Sequence, residues 1–188
     1  MAEGGVPLDP ESEELSDEEV EEFDSLDLLF ARDFITYVMK RRIPDWTFGE
    51  YYARPCPVTP FSYRIRHAVD FFLNKECINL DSLFHASFVD EHFDYGGFIR
   101  VVDFIVESVF NHADSHNDLL RFLCLHAHFT AMAYKRGVRM APYYALFNIK
   151  DLLGLYTHKK GISSEYFFGE FGFEVMGMIH ENKSIVFH

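Results

Sequence analysis

Ten histidines and three cysteines are the side chains in this sequence best able to bind a metal or attack a substrate. His112 and His116 stand four residues apart, a spacing that puts two ligands on one helix face, and His126 and His128 follow in the next apolar segment. A zinc site needs further ligands at short spacing, and no paired cysteine or His-Glu-x-x-His motif supplies them. The four histidines therefore read as a polar turn and as hydrogen-bonded core residues, and no metal or other cofactor is expected. Cys56, Cys77 and Cys124 are too scattered for a disulfide framework, and the sparse, odd count fits a reducing compartment. Cys124 sits inside an apolar run, where a thiol is ordinarily inert. A Gly-x-Ser-x-Gly elbow, a phosphate loop and a Gly-x-Gly-x-x-Gly turn are all absent from the sequence, so no enzyme is expected.

What remains is recognition by apolar surface, and the composition favours it. Of 188 residues, 48 % are hydrophobic and 21 are Phe, too apolar for a disordered chain and enough for one domain with a real core. The formal net charge of −13 is unevenly placed. Residues 1–24 carry 11 Asp or Glu and no Lys or Arg, so the other 19 acids nearly balance the 17 Lys and Arg, leaving about −2 on the rest. Residues 1–24 read as a solvated, disordered acidic tail, with Ser12 and Ser16 placed ahead of acids as an acid-directed kinase would require. Nucleic acid calls for a clustered basic surface, which neither part offers. The acidic start does not read as a signal peptide, and the longest candidate span, Phe122 to Tyr134, is 13 residues with two histidines, short of the ~18 a bilayer requires. A cytoplasmic location follows as the expectation.

The elements that would position an apolar site are helical. Ser25 or Asp27 can cap a first helix to about Arg42, with Leu26, Phe30, Phe34, Tyr37 and Val38 at steps of three and four; Lys40, Arg41 and Arg42 suit its end and Pro44 stops it. After the stiff Pro55, Pro57 and Pro60, a second helix is expected from Pro60 or Phe61 to about Glu76, carrying Ile65, Ala68, Val69 and Phe72 on one stripe. A short helix follows from about Asp81 to His92, with Leu83, Phe84, Phe88 and Val89. Phe98 to Phe110 and Asp118 to Tyr134 are apolar on nearly every side and read as a buried central hairpin, joined by the polar turn Asn111 to Asn117. Pro142 starts a further helix to about Tyr156; Ser163 to Ile179 has helical spacing diluted by glycines, and Met178 to His188 reads as a small hairpin around Glu181-Asn182-Lys183. The expected fold is thus all-α, a helical domain over 25–181 with a tail at 182–188.

Four segments occur in the order of the Bcl-2 family's homology motifs. Asp33 to Arg42 followed by Trp46 resembles the N-terminal (fourth) segment. Ile65-Arg66-His67-Ala68-Val69-Asp70-Phe71-Phe72 is similar to the third motif, Leu-x-x-x-Gly-Asp, with Val69 in place of Gly. Asp94-Tyr95-Gly96-Gly97-Phe98-Ile99-Arg100-Val101 resembles the first motif, Asn-Trp-Gly-Arg-Ile-Val, with Gly97 in place of Arg, and Pro142 to Gly154 falls opposite the second motif without its Gly-Gly-Trp. The resemblance spans about Leu26 to Tyr156.

That resemblance implies a Bcl-2-like bundle with a central apolar hairpin wrapped by amphipathic helices. It implies a pro-survival regulator of apoptosis that takes the amphipathic death-motif helix of pro-apoptotic partners into a hydrophobic groove, the mode described for this fold in general terms. Phe72, Phe84 and Phe88 would point into the groove, with Val89, Phe98 and Val101 near its floor, Gly96 and Gly97 at its mouth, and Arg100 standing in for the family's arginine. Ile65, Ala68, Val69 and Asp70 would form the third motif itself. The mitochondrial outer membrane is the implied meeting place, although the family's C-terminal anchor is not read in this sequence, and a dimer stays open. Two alternatives accompany this reading: a pro-death effector, and a helical scaffold unrelated to apoptosis in which the Phe-rich segments are ordinary core. A further expectation is that Tyr166 to Ile179 either packs as a last helix or folds back into the groove.

Overall fold

Local signals start and stop each helix of the computed structural model, which describes residues 25–49, 52, 59–87 and 93–184, with backbone only at 178 and 180–184. Helix α1 (Leu26–Arg42) begins where the Ser25 hydroxyl accepts from the Leu28 amide at 3.3 Å and ends in three cations, which suit the negative end of the helix dipole. Helix α2 is Tyr63–Ser87, α3 is Tyr95–Ser108 with a 3-10 turn after it at Phe110–His112, and α4 is His116–Lys135. Asp94 caps α3, and Ser115 with Asp118 forms a reciprocal capping box at the start of α4. Helix α5 (Ala141–Lys160) has Pro142 in its first turn and closes at Gly161, whose φ of 66° is the left-handed conformation glycine adopts without strain. Helix α6 is Ser164–Ser184. These are six α-helices, with no strand among the described residues.

Helix α4 lies at the centre and touches the other five; α1 packs mainly on α5, and α2 mainly on α6. From Phe122 to Ala131 every residue of α4 is buried. At one end Phe30, Phe34, Phe61, Phe167, Phe168 and Phe171 interlock through stacked and edge-on rings 4.8–6.2 Å apart. At the other, Trp46 and Phe48 of the connector after α1 meet Tyr134 and Tyr143. Gly172 lets α6 approach α2: a Cβ there would stand 3.1 Å from Ser62 Oγ.

Three expectations change. The second helix and the short helix at Asp81 are one element, because nothing between Glu76 and Asp81 breaks it: Asn79 donates to Glu76 at 2.8 Å and Leu80 is buried. The central hairpin is a single helix. In α3 only Phe98, Val102 and Ile105 are buried, at steps of four and three, while Arg100, Asp103, Phe104, Glu107 and Ser108 are exposed. Its few polar residues share one face and turn that face outward. The terminal hairpin is instead the end of α6, which runs through to Ser184. The expected acidic tail, Phe88, Val89, Cys56 and the residues after 184 lie outside the described residues. No helix among the described residues is long and apolar enough to cross a membrane.

Candidate functional site

Helices α2, α4 and α6 leave a cleft of ≈ 380 Å³ between them. Ala68, Phe71, Phe72 and Leu80 come from α2, Leu120 from α4, and Val175 and Ile179 from α6; Lys75, Glu76, Asn117 and Arg121 complete the lining. Ala68, Leu80, Leu120, Val175 and Ile179 are buried core residues that border the cleft, and Phe71 and Phe72 are its half-buried apolar surface. At the α4–α6 junction His116 Nδ1 hydrogen-bonds Glu174, and the His116 ring sits among Tyr156, Phe167 and Phe171 at 5.4–5.9 Å. The cleft can take apolar side chains, with cations from two sides at its polar part. It contains no nucleophile–base pair.

The residues expected to form one groove are divided among three places. Phe72 lines the cleft, and so does Ala68. Phe84 is fully buried elsewhere, edge-on to Phe129 at 5.2 Å and under the Arg136 guanidinium at 5.0 Å. Gly96 and Gly97 form the first turn of α3, where the Gly97 amide donates to the Asp94 carboxylate at 2.7 Å. Phe98 is buried, packing edge-on against Tyr144 of α5 at 5.9 Å, and Val101 is half-buried against the core. Arg100 is exposed, its guanidinium lying back over that glycine turn. None of Gly96, Gly97, Phe98, Arg100 and Val101 lines the α2–α4–α6 cleft. The cleft's cation on the central helix is Arg121, and the sequence held a signal for it: Arg121 is the only Asp, Glu, Lys or Arg between Leu119 and Tyr134. Leu120, Val175 and Ile179 carried no such mark, because they are buried core residues that also border the cleft.

The third-motif residues are built into the body. Ile65, Ala68 and Val69 are buried, and Asp70 accepts from Tyr37 Oη at 2.7 Å and pairs with Arg41. Burial, then that bond to Asp70, raises the Tyr37 phenol above its ordinary value. Beyond this pair lies a second cleft of ≈ 350 Å³ between α1 and α2, with His128 of α4 at its edge. There Asp81 accepts from Arg42 at 2.9 Å and bonds His128 Nε2 at 2.8 Å, and Arg42 lies 3.3 Å from Cys77 Sγ. Its charged groups satisfy one another, so this seam joins α1, α2 and α4. Burial, with the Arg42 charge next, lowers the His128 pKa; burial alone drives His126 down to about 4 despite its 2.9 Å bond to Asn148. Both are core histidines with partners. Burial also pushes the Cys124 thiol well up, which keeps it protonated. Among the described residues no three His, Cys, Asp or Glu side chains are arranged to hold a metal.

Family models, curated proteins and solved structures were compared with this chain, and none matches it.

Proposed function

We propose that this protein is a recognition module that holds one face of a partner's amphipathic helix in the α2–α4–α6 cleft, and that it acts, in the manner of Bcl-2-like regulators, to restrain death-promoting helices. The observation that carries the reading is the cleft itself: an apolar lining from three helices around one buried central helix, with Arg121 and Lys75 placed to meet an acidic ligand residue. The ordered motif-like segments support the family. Cytoplasm, and the mitochondrial surface where such partners act, are the locations that go with it.

At ≈ 380 Å³ the cleft is near the lower end of the ~300–1,000 Å³ of ligand sites. Two seated Leu- or Phe-sized anchors contribute roughly 3–6 kcal/mol before ordering costs. A micromolar complex needs about 8 kcal/mol. Contacts along the rim must supply the rest, so binding is expected in the micromolar range, weaker than four anchors would give.

The test is calorimetric titration with a panel of synthetic death-motif peptides. Saturable binding is expected, weakened about tenfold or more by Arg121→Glu and by Phe72→Glu, and unchanged by Arg100→Glu. No binding at high micromolar concentration by a protein that remains folded would sink the proposal. It would favour the second reading, a helical scaffold unrelated to apoptosis, which has its own support: α3 carries five of the expected groove residues and none of them lines the cleft. Peptide-triggered dye release from liposomes would point instead to a pro-death effector.

A further inference from the structure

The start of α2 carries charge of the wrong sign for its position. A helix N-terminus is the positive end of the backbone dipole, and acids there are stabilising while cations are not. The first turn of α2 has no acid, yet Arg64, Arg66 and His67 follow one another closely. Some cations elsewhere meet carboxylates, Arg41 with Asp70, Arg42 with Asp81 and Lys159 with Asp114, while Arg136 and Arg139 lie over the rings of Phe84 and Tyr134. Arg64 and Arg66 pair with no carboxylate among the described residues and lie on aromatic rings, Arg64 4.0 Å from the Phe173 centroid and Arg66 5.3 Å from that of Phe61. Arg66 Nε is buried with no hydrogen-bond partner. Just before the two arginines Tyr63 is 78 % exposed and stacks on His67, and Phe173 is 59 % exposed. An exposed Phe173 ring under the Arg64 guanidinium, with the exposed Tyr63 next to Arg64 in the chain, describes a surface for an acidic segment with apolar residues interspersed.

We infer that the occupant of this surface is the protein's own residues 1–24. That segment holds 11 acids and no Lys or Arg, with Leu15, Val20 and Phe23 between them. Its point of attachment is close. Ser25 caps α1, and Asp27 accepts from Ser164 at the start of α6, the helix that carries Phe173. Phe30 lies about 7.5 Å further along α1. Its ring centroid is 5.7 Å from that of Phe61, two residues before Tyr63. An extended chain covers about 3.3–3.6 Å per residue, so the acidic run from Glu11 to Glu22 reaches the surface with slack. Tethering sets an effective concentration on the order of millimolar, so even a weak charge-driven contact is populated within one molecule. The docking does not depend on the reading of the α2–α4–α6 cleft.

The experiment uses the full chain with Tyr63→p-benzoylphenylalanine, irradiated as a mixture of isotope-labelled and unlabelled protein and mapped by mass spectrometry. Crosslinks to residues 1–24 of the same chain are expected. Their yield should fall several-fold between 50 and 500 mM salt as screening tightens. A similar fall is expected in a chain carrying Glu13→Gln, Glu14→Gln, Glu18→Gln and Glu19→Gln, changes that lie outside the described helices. Crosslinks confined to the helical body would overturn the inference. So would crosslinks only between labelled and unlabelled chains, which would make a second copy the occupant, or a yield indifferent to both salt and tail charge.

Discussion

From Phe122 to Ala131 helix α4 has no exposed residue, whereas α3 buries three of its fourteen and leaves Phe104 67 % exposed. Both are strongly apolar stretches, and they differ in where their charges fall. In α4, Asp118, Arg121 and Lys135 keep to the ends, so the middle can be enclosed on all sides. In α3, Arg100, Asp103 and Glu107 recur at steps of three and four, which gathers them on one face and holds that face in water. A few charges at helical period outweigh a majority of apolar residues, since burying an ionised group without a partner costs several kcal/mol and an apolar residue gains only about 1.5–3.

The largest effect that would break this comparison is in the core. Phe129→Ala on α4 is expected to cost about 3–5 kcal/mol in urea unfolding, through lost burial and the cavity left against Phe84. Acid comes next. His126 is neutral in the fold, with a pKa lowered to about 4 against an ordinary 6.5. The unfolded chain therefore takes up this proton first as pH falls. The stability from the neutral ring is complete above about 6.5 and is lost between there and about 4, roughly 3 kcal/mol in all. Titrating wild type against His126→Gln should show the acid limb flattened by about that amount; an unchanged limb would mean the ring is solvated. Asp81→Asn, which leaves His128 and Arg42 with a neutral partner, should cost about 1–2 kcal/mol, the smaller value because Asp81 is a third exposed. On the peptide side, Arg121→Ala should weaken binding several-fold where Arg100→Ala leaves it unaltered, and the reverse would return the site to α3. Smallest of all, Phe104→Ala should change stability by less than about 0.5 kcal/mol.

The same difference explains how the candidate site was legible. The shared apolar stripe of Ala68 and Phe72 on α2 is legible because the phase of a helix is local, but the groove position of Phe72 rests on the family resemblance, and Ala68 enters only as part of the third motif. Arg100 was assigned the partner-binding charge from its position in a motif, but the turn it covers, Gly96-Gly97, belongs to a helix packed against Tyr144 and away from α6. Arg121 was visible as the lone charge of an apolar helix, yet only the approach of Val175 and Ile179 from α6 gives that charge a cleft to stand beside.

By itself the sequence determined the all-helical class, a capped helix start at Ser25 or Asp27, a helix start at Pro142, the central position of Asp118 to Tyr134 and the settled, partnered state of the core histidines. Those follow from propensity, period and desolvation, which act within a few turns of chain. The tertiary structure alone decided that the buried side of α3 meets Tyr144 of α5, that α2 packs mainly on α6, and that the cleft opens between α2, α4 and α6. Each of these depends on which faces meet, and that is set by packing between segments distant in the chain, as Phe98 with Tyr144 and Ala68 with Ile179.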